Sequence, residues 1–243
     1  MIFGQLLTSS NYDDGEAKVT GGRNGFGAKL TNIFSKKFVI ETADSRNCKH
    51  YRQVFRNNMS ITEEPEITAN TRGEDFTQVT FYPDLTKFKM ESMDEDICAL
   101  MTKRAYDLAG VTDRKIKVYL NGKKIEVKDF NEYCDLYLKN DENKELPKIV
   151  EKKTERWEVI ASTSDGEFQQ VSFVNSICTS KGGTHVAHVT DQIVSRIKAV
   201  LEKKNKKLTI KAHQIKANLW VFVNCLIENP AFDGQTKETL ATK

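Results

Sequence analysis

Residues 21–29 read GGRNGFGAK, and this glycine-rich stretch decides how the rest of the chain is interpreted. A helix-like segment over residues 28–34 follows it, with Leu30, Ile33 and Phe34 on one side. Small residues let backbone N–H groups approach an anion, and a helix N-terminus presents the positive end of its dipole to that anion. Lys29 adds a positive charge. The stretch therefore favours a phosphate-binding loop.

Two better-known phosphate motifs are excluded by spacing. A P-loop places its lysine directly after a glycine and a hydroxyl residue after the lysine, whereas Ala28 precedes Lys29 here and Leu30 follows it. A dinucleotide-binding fingerprint directly follows a buried strand, whereas residues 8–22 read as a long polar loop. From spacing alone, an ordinary glycine turn remains an open alternative.

The composition is that of a soluble folded protein of one or two domains. The 243 residues are 39% hydrophobic and 29% charged, and two domains are expected from the length. The net charge of +3 is too small to indicate nucleic-acid binding without local clustering. Five scattered cysteines predict neither a disulfide framework nor a zinc site, and no apolar run is long enough to span a membrane. An intracellular, reducing location is expected.

The first half alternates short strand patterns with one strong helix pattern. Apolar alternation between residues 38 and 81 predicts an antiparallel meander, and residues 94–109 predict a helix that Gly110 caps. Asn121-Gly122 predicts a hairpin between residues 115–120 and 123–127. A first unit is expected to end near Lys128.

The second half predicts an α/β sandwich. A short helix and then a linker are expected over residues 129–153, followed by paired strands around the Asp165-Gly166 turn. The polar glycine loop 179–185 leads into an amphipathic helix, and residues 219–227 predict a strand buried on both sides.

The chain resembles the ATPase region of eukaryotic type IIA DNA topoisomerases, and the resemblance spans its whole length. The matching stretches in the first half are Phe3-Gly4, residues 8–13 (TSSNYD), residues 21–30, Phe88-Lys89-Met90 and residues 104–107 (RAYD). Those in the second half are residues 169–175 (QQVSFVN), 180–183 (SKGG) with His185-Val186, 228–230 (ENP), Phe232-Asp233 and 235–237 (QTK).

This resemblance implies an α+β fold with two domains. Residues 1–128 would be the C-terminal part of a GHKL (Bergerat-type) ATPase α/β sandwich that includes the ATP lid. Residues 129–243 would be a transducer domain, of the type seen in the second domain of ribosomal protein S5, with a switch-lysine loop.

The resemblance also assigns roles to individual residues. Those implied to contact ATP are Ser9, Ser10, Asn11, Gly22, Arg23, Asn24, Gly25, Phe26, Gly27, Ala28, Lys29, Gln235, Thr236 and Lys237. Lys237 is the implied catalytic residue, because a lysine delivered from a second domain can stabilise charge on the transferring γ-phosphoryl group. The lysines implied to contact DNA are Lys203, Lys204, Lys206 and Lys207, for which a solvated helix terminus is the alternative.

The sequence departs from the family pattern in what it does not contain. Family members carry a helix with a general-base Glu and a magnesium-binding Asn, followed by an Asp-x-Gly-x-Gly turn, before the lid. None of these motifs occurs in the 243 residues, and no metal ligand is assigned. Asp13, Asp14 and Glu16 are interpreted as a solvated acidic surface rather than substitutes. ATP hydrolysis by these residues alone is not expected, and Met1 is expected to mark a truncation.

The expected function is part of the ATP-dependent N-gate of a nuclear type II DNA topoisomerase, which couples ATP binding and hydrolysis to DNA strand passage. ATP and Mg²⁺ are the expected cofactors of the complete enzyme, which would be a homodimer acting on double-stranded DNA. The alternative is a truncated, non-catalytic paralogue or fragment that binds protein or DNA. Another GHKL protein, such as a mismatch-repair or chaperone ATPase, is disfavoured by the transducer motifs.

Overall fold

The computed structural model describes residues 1–13, 15–139, 146–206 and 209–243, and of residues 152–153 the backbone only. It divides into two units, of which the first comprises Met1–Asp14 and Gly22–Ile97 and the second Gly15–Gly21 and Cys98–Lys243. The domain boundary expected after residue 128 stays a prediction. No helix in the described ranges is long and apolar enough to cross a membrane.

The first unit contains an antiparallel sheet in the order β3-β2-β1-β5, with β4 also pairing with β2. Its elements are α1 (Phe26–Ile33), β1 (Ser35–Asp44), β2 (Lys49–Arg56), β3 (Ile61–Thr62), β4 (Glu66–Ala69), β5 (Phe76–Pro83) and a 3₁₀ turn (Leu85–Phe88). The predicted meander is thus confirmed for β1 and β2, whereas β5 returns to pair with β1. Phe38, Ile40 and Phe55 form its buried core.

Helix α1 buries a different side from the one its apolar pattern suggests. Leu30 is 41% exposed, whereas Lys29 and Asn32 are buried. The cause is hydrogen bonding to the preceding segment, since Lys29 donates to the Thr8 carbonyl and Asn32 to the Phe3 carbonyl. These hydrogen bonds offset the cost of burying the Lys29 ammonium and the Asn32 amide N–H, although the Asn32 Oδ1 has no partner among the described residues.

The predicted second helix is confirmed as α2 (Glu95–Val111), but Gly110 does not cap it. Gly110 lies within the helix, where an added Cβ would come within 2.5 Å of the Tyr133 ring. The Tyr133 hydroxyl donates to Asp107 at 2.6 Å, and Lys103 donates to the same carboxylate at 2.8 Å. Gly110 is therefore required for close packing rather than for helix termination.

The second unit is built from residues 98–111 of α2 and from the elements that follow. These are β6 (Tyr119–Leu120), β7 (Lys123–Lys124), α3 (Phe130–Leu138), β8 (Lys148–Thr154), β9 (Trp157–Thr163), β10 (Gln169–Val174), β11 (Ile177–Cys178), β12 (Gly182–Gly183), α4 (Thr184–Lys204), α5 (Ala212–Lys216), β13 (Leu219–Cys225) and β14 (Thr239–Leu240). The Asn121-Gly122 hairpin is confirmed, with both residues at positive φ, although each strand has only two residues.

Two expectations about the second unit were wrong. Residues 148–154, expected as part of a linker, form β8, and the remaining linker residues 140–145 lie outside the described ranges. The strands β9 and β10 do not pair with each other, because the main sheet runs β11-β10-β13-β9-β8 and β13 lies between them. The most apolar strand thereby takes the central position, where both of its faces are covered.

Strand β13 carries two hydrophobic cores, one on each face. Val221 and Val223 pack with α4 and α5 residues such as Val189 and Ile215, which form the first core. Phe222 points to the opposite face and joins the aromatic cluster of α3. The predicted strand buried on both sides is therefore confirmed, as is the amphipathic helix α4.

His185 is a buried titratable group in the first turn of α4. Its Nε2 lies 3.0 Å from the Thr179 hydroxyl, and its Nδ1 is buried without a hydrogen-bond partner among the described residues. Burial lowers the pKa of His185 from its ordinary value of 6.5 to about 4. The ring is therefore neutral in the folded protein at neutral pH.

We predict that this histidine makes the chain acid-sensitive. Between pH 6.5 and about 4 the unfolded chain binds a proton that the folded chain does not, so the free energy of unfolding falls as the pH falls. The contribution of His185 to this loss is at most roughly 3 kcal/mol. Urea unfolding at pH 7, 5.5 and 4 measures it.

The variant His185→Gln should show a weaker loss over this pH range, whereas His213→Gln, at an exposed position of α5, should follow the unmodified chain. If His185→Gln loses stability with pH as steeply as the unmodified chain, His185 is not the source of the acid sensitivity.

Candidate functional site

The glycine loop of the first unit ends in a helix N-terminus that has no side-chain cap. Gly25 is the N-cap of α1 and has φ 65°, in the left-handed region, and no side chain caps the helix. Within the described residues, the N–H groups of the first turn therefore have no capping acceptor and are available to a ligand. A Cβ on Gly25 would lie 2.6 Å from the Thr8 carbonyl oxygen, so only glycine fits there.

Lys29 holds this loop from inside the unit. The side chain is 1% exposed, and its Nζ donates to the Thr8 carbonyl at 2.8 Å and the Gly25 carbonyl at 3.0 Å. Within the described residues, no carboxylate lies within ion-pair distance of this ammonium, whose third N–H remains available. A buried ammonium with only neutral acceptors favours a nearby anion.

The segment before the loop lies against it. Asn11 Nδ2 donates to the Gly22 carbonyl at 2.6 Å, and its backbone N–H donates to Ser9 Oγ at 3.1 Å. The Tyr12 hydroxyl donates to the Asn24 carbonyl at 3.4 Å. Ser9 and Asn11 are thus held beside the glycine loop that the sequence associates with them.

The remaining predicted residues of this loop lie at or near the surface. Gly22 and Gly27 have no atom within 4 Å of an added Cβ, so their backbone is open to approach. The exposed residues are Ser10, Gly22, Arg23 and Gly27, and the half-buried ones are Asn24, Gly25, Phe26 and Ala28. Thr8 was not among the predicted site residues, because it acts through its backbone carbonyl, which any residue type can supply and a sequence motif therefore does not reveal. The arrangement as a whole fits a phosphate group.

The predicted phosphate loop is not accompanied by a group of metal-binding side chains in the part of the chain that the structure describes. Among the residues that the structure describes, no three His, Cys, Asp or Glu side chains form a group that could hold a metal ion. Of the acids near the loop, Asp13 is exposed and Glu16 pairs with Lys18 at 3.0 Å, whereas Asp14 lies outside the described residues. These residues do not fit a magnesium site, and no chemical step is assigned to a metal.

The second unit contains the loop of Gln235, Thr236 and Lys237. Gln235 and Thr236 are exposed, whereas Lys237 is half-buried and has φ 57°. Its backbone N–H donates to the Gly234 carbonyl at 3.1 Å, and partial burial lowers the pKa of its ammonium. A positive φ at a residue other than Gly, Asn or Asp is strained and is held by its surroundings.

The predicted DNA-contacting lysines lie at the C-terminal end of α4. Lys203 and Lys204 are in its last turn, Lys206 follows, and all three are exposed. Lys207 lies outside the described residues. None of these three lysines forms an ion pair within the described ranges, whereas Lys198 pairs with Glu202 at 3.8 Å.

Comparisons with known proteins agree along the whole chain. The DNA gyrase B family model matches residues 129–243. DNA topoisomerase 2 of Arabidopsis thaliana is 58% identical over 247 residues, which cover 100% of this chain and 17% of that protein. The chain therefore spans about a sixth of the length of the curated relatives that it matches.

Two solved structures have the same fold. The ATPase region of Saccharomyces cerevisiae topoisomerase II matches with a TM-score of 0.92 and 53% identity, over 100% of this chain and 62% of that one. The ATPase and transducer domains of DNA topoisomerase II from Balamuthia mandrillaris match with a TM-score of 0.92 and 45% identity, with the same coverage. The chain belongs to the eukaryotic DNA topoisomerase 2 family, and its α+β fold is that of part of the GHKL-type ATPase region with the transducer domain.

Proposed function

We propose that the chain is part of the ATP-dependent N-gate of a type II DNA topoisomerase, where it couples ATP binding and hydrolysis to DNA strand passage. The observation that carries the proposal is the uncapped helix N-terminus behind Gly25, with the buried Lys29 ammonium beside it, in a chain 58% identical to a topoisomerase 2. We place the domain boundary after residue 128, just before the DNA gyrase B match that begins at residue 129, although residues 98–128 belong to the second compact unit of the structure.

The glycine loop binds the triphosphate of ATP in this proposal. The N–H groups of residues 26–28 face the phosphates, while Lys29 keeps the loop closed through Thr8 and Gly25 and retains one N–H for a phosphate oxygen. Ser9, Ser10 and Asn11 border the sugar and phosphates. ATP and Mg²⁺ are the proposed cofactors, and within the described residues no three His, Cys, Asp or Glu side chains form a group that could hold the metal.

Lys237 is the proposed catalytic residue, with Gln235 and Thr236 beside it on the loop. A lysine close to the γ-phosphoryl group stabilises the negative charge that develops during its transfer, and partial burial strengthens that interaction. Because Lys237 belongs to a different unit from the glycine loop, its engagement would link the orientation of the two units to the state of the nucleotide.

DNA is the proposed partner of Lys203, Lys204, Lys206 and Lys207. Lys203, Lys204 and Lys206 are exposed and form no ion pair within the described ranges, which suits contact with the phosphate backbone, and such contacts are blind to sequence. The complete enzyme would be a nuclear homodimer. The alternative, a non-catalytic paralogue or fragment, is not favoured, because the chain is 58% identical to a DNA topoisomerase 2 over its full length.

Substitution of the loop glycine tests the nucleotide site. In a subunit with a complete ATPase region, we expect Gly25→Ala to weaken binding of a non-hydrolysable ATP analogue at least tenfold, because its Cβ would displace Thr8 and Lys29. Gly73→Ala is a matched control, since Gly73 has φ +64° but open space around it and lies outside the loop. Equal affinities of the two variants, measured by calorimetry, would exclude the loop from the nucleotide site.

The lysines are tested by the salt dependence of DNA binding. Replacing Lys203, Lys204 and Lys206 by alanine should reduce the slope of log K against log salt by about 0.9 for each DNA phosphate that is no longer neutralised. A control with the same change in charge replaces the exposed Lys115, Lys117 and Lys123. If both triple variants of the 243-residue chain lower the slope equally, DNA binding at the end of α4 is rejected.

The 243 residues alone should not hydrolyse ATP. They contain no counterpart of the family's general-base Glu, magnesium-binding Asn or Asp-x-Gly-x-Gly turn, so no group would activate the attacking water. A phosphate-release assay with and without DNA should give no turnover. Magnesium-dependent turnover that Lys237→Ala abolishes would contradict this expectation.

A further inference from the structure

The loop that carries Lys237 is fastened to the loop that starts α4. Lys181 Nζ lies 2.7 Å from Glu238 Oε2, and Ser180 Oγ donates to Oε1 of the same carboxylate at 3.4 Å. The backbone N–H of Lys181 also donates to the Glu238 carbonyl at 3.0 Å. Glu238, the residue directly after Lys237, is therefore held by both its side chain and its backbone.

The backbone continues this attachment beyond Glu238. Strand β12 pairs in parallel with β14, so that Gly182 faces Thr239 and Gly183 faces Leu240. A Cβ on Gly183 would lie 2.4 Å from the Leu240 carbonyl oxygen, and Gly183 has φ +134°, so no other residue fits. The ion pair thus lies at the end of a close backbone junction.

The ion pair also gives a partner to the carboxylate that directly follows Lys237 in the chain. The hydrogen bond and the charge of Lys181 lower the pKa of Glu238, which is therefore ionised at neutral pH. Without Lys181, this carboxylate would lose its ammonium partner and keep only hydrogen bonds from the hydroxyls of Ser180 and Thr236. Because Glu238 directly follows Lys237 in the chain, an unpaired carboxylate there could turn to the Lys237 ammonium and neutralise the charge that the γ-phosphoryl group needs.

We propose that Lys181 and Glu238 form a clamp that sets the conformation of Lys237 and keeps its ammonium free for the nucleotide, which makes both of them positioning residues. The assignment rests on the proposed function of Lys237 in ATP hydrolysis. Positioning residues act through Lys237, so their loss should affect the transition state and not the binding of ATP.

The clamp is tested by ATP hydrolysis in the complete topoisomerase subunit. Lys181→Met should lower kcat about tenfold. Glu238→Gln should lower kcat only about threefold, because this variant leaves no unpaired carboxylate after Lys237. KM should change less than twofold in both variants. The double variant should match Glu238→Gln, because the two residues act as a unit. Lys181→Arg, which keeps the ion pair, should retain the original kcat.

A matched control pair and a second observable complete the test. Lys124→Met and Glu126→Gln break an ion pair of similar length, 2.9 Å, on the β6–β7 hairpin and should leave kcat unchanged. In the 243-residue chain, Lys181→Met should speed amide hydrogen exchange of the switch segment 234–238 at least threefold, and Lys124→Met should not.

The variant Lys237→Ala distinguishes failure of the clamp proposal from failure of the proposed role of Lys237. If Lys237→Ala lowers kcat but Lys181→Met and Glu238→Gln do not, the clamp is wrong and the proposed function stands. If Lys237→Ala itself leaves kcat unchanged, the proposed role of Lys237 fails and the clamp fails with it. Additive effects of the two clamp substitutions would also overturn the proposal.

Discussion

The central strand β13 (Leu219–Cys225) is the constraint on which the second unit depends. Val221, Phe222 and Val223 have no exposed surface, and their alternation supplies one hydrophobic core on each side of the sheet. Because β13 runs parallel to β10, the chain between them must cross over one face, and α4 and α5 form this crossover. The carboxyl ends of two neighbouring parallel strands lie at the same edge of the sheet, so the loop after β10 and the loop after β13 can meet. The contact of Lys181 with Glu238 is a consequence of that topology.

In the first unit, the feature that suits phosphate binding is the set of uncapped backbone N–H groups at the start of α1. Gly25 begins α1 without a side-chain cap, and Lys29 fastens the loop to the Thr8 carbonyl from the buried side. A loop closed in this way does not have to be ordered by its ligand, which lowers the entropic cost of binding. In the proposed function the two units would contribute different parts of one reaction: the loop of the first would hold phosphate, and the lysine of the second would contact its terminal group.

The elements that could be predicted from the sequence are those whose signals are local. The helix α2, the Asn121-Gly122 hairpin and the apolar strand β13 carry periodicity or turn residues that need no knowledge of the fold. The order of the sheet could not be predicted in this way. Strands β9 and β10 are adjacent in sequence around a good turn signal, yet β13, about fifty residues later, separates them because it buries more apolar surface.

Gly110 has the sequence signal of a helix cap, and only the approach of Tyr133 reveals its packing role. The same holds for the proposed site: motif residues drew attention to the glycine loop, but the role of the Thr8 carbonyl and the partner of Glu238 depend on distant contacts.

We propose that the glycine loop receives the triphosphate while Lys237 contacts its terminal phosphate. The most direct measurement is a crystal structure of a complete ATPase region carrying these residues, bound to a non-hydrolysable ATP analogue. We expect phosphate oxygens within hydrogen-bond distance of the backbone N–H groups of residues 26–28, and the Lys237 ammonium within hydrogen-bond distance of the γ-phosphate. Phosphates that bind away from residues 22–29, or a Lys237 ammonium that stays on its own unit without contact to the nucleotide, would contradict it.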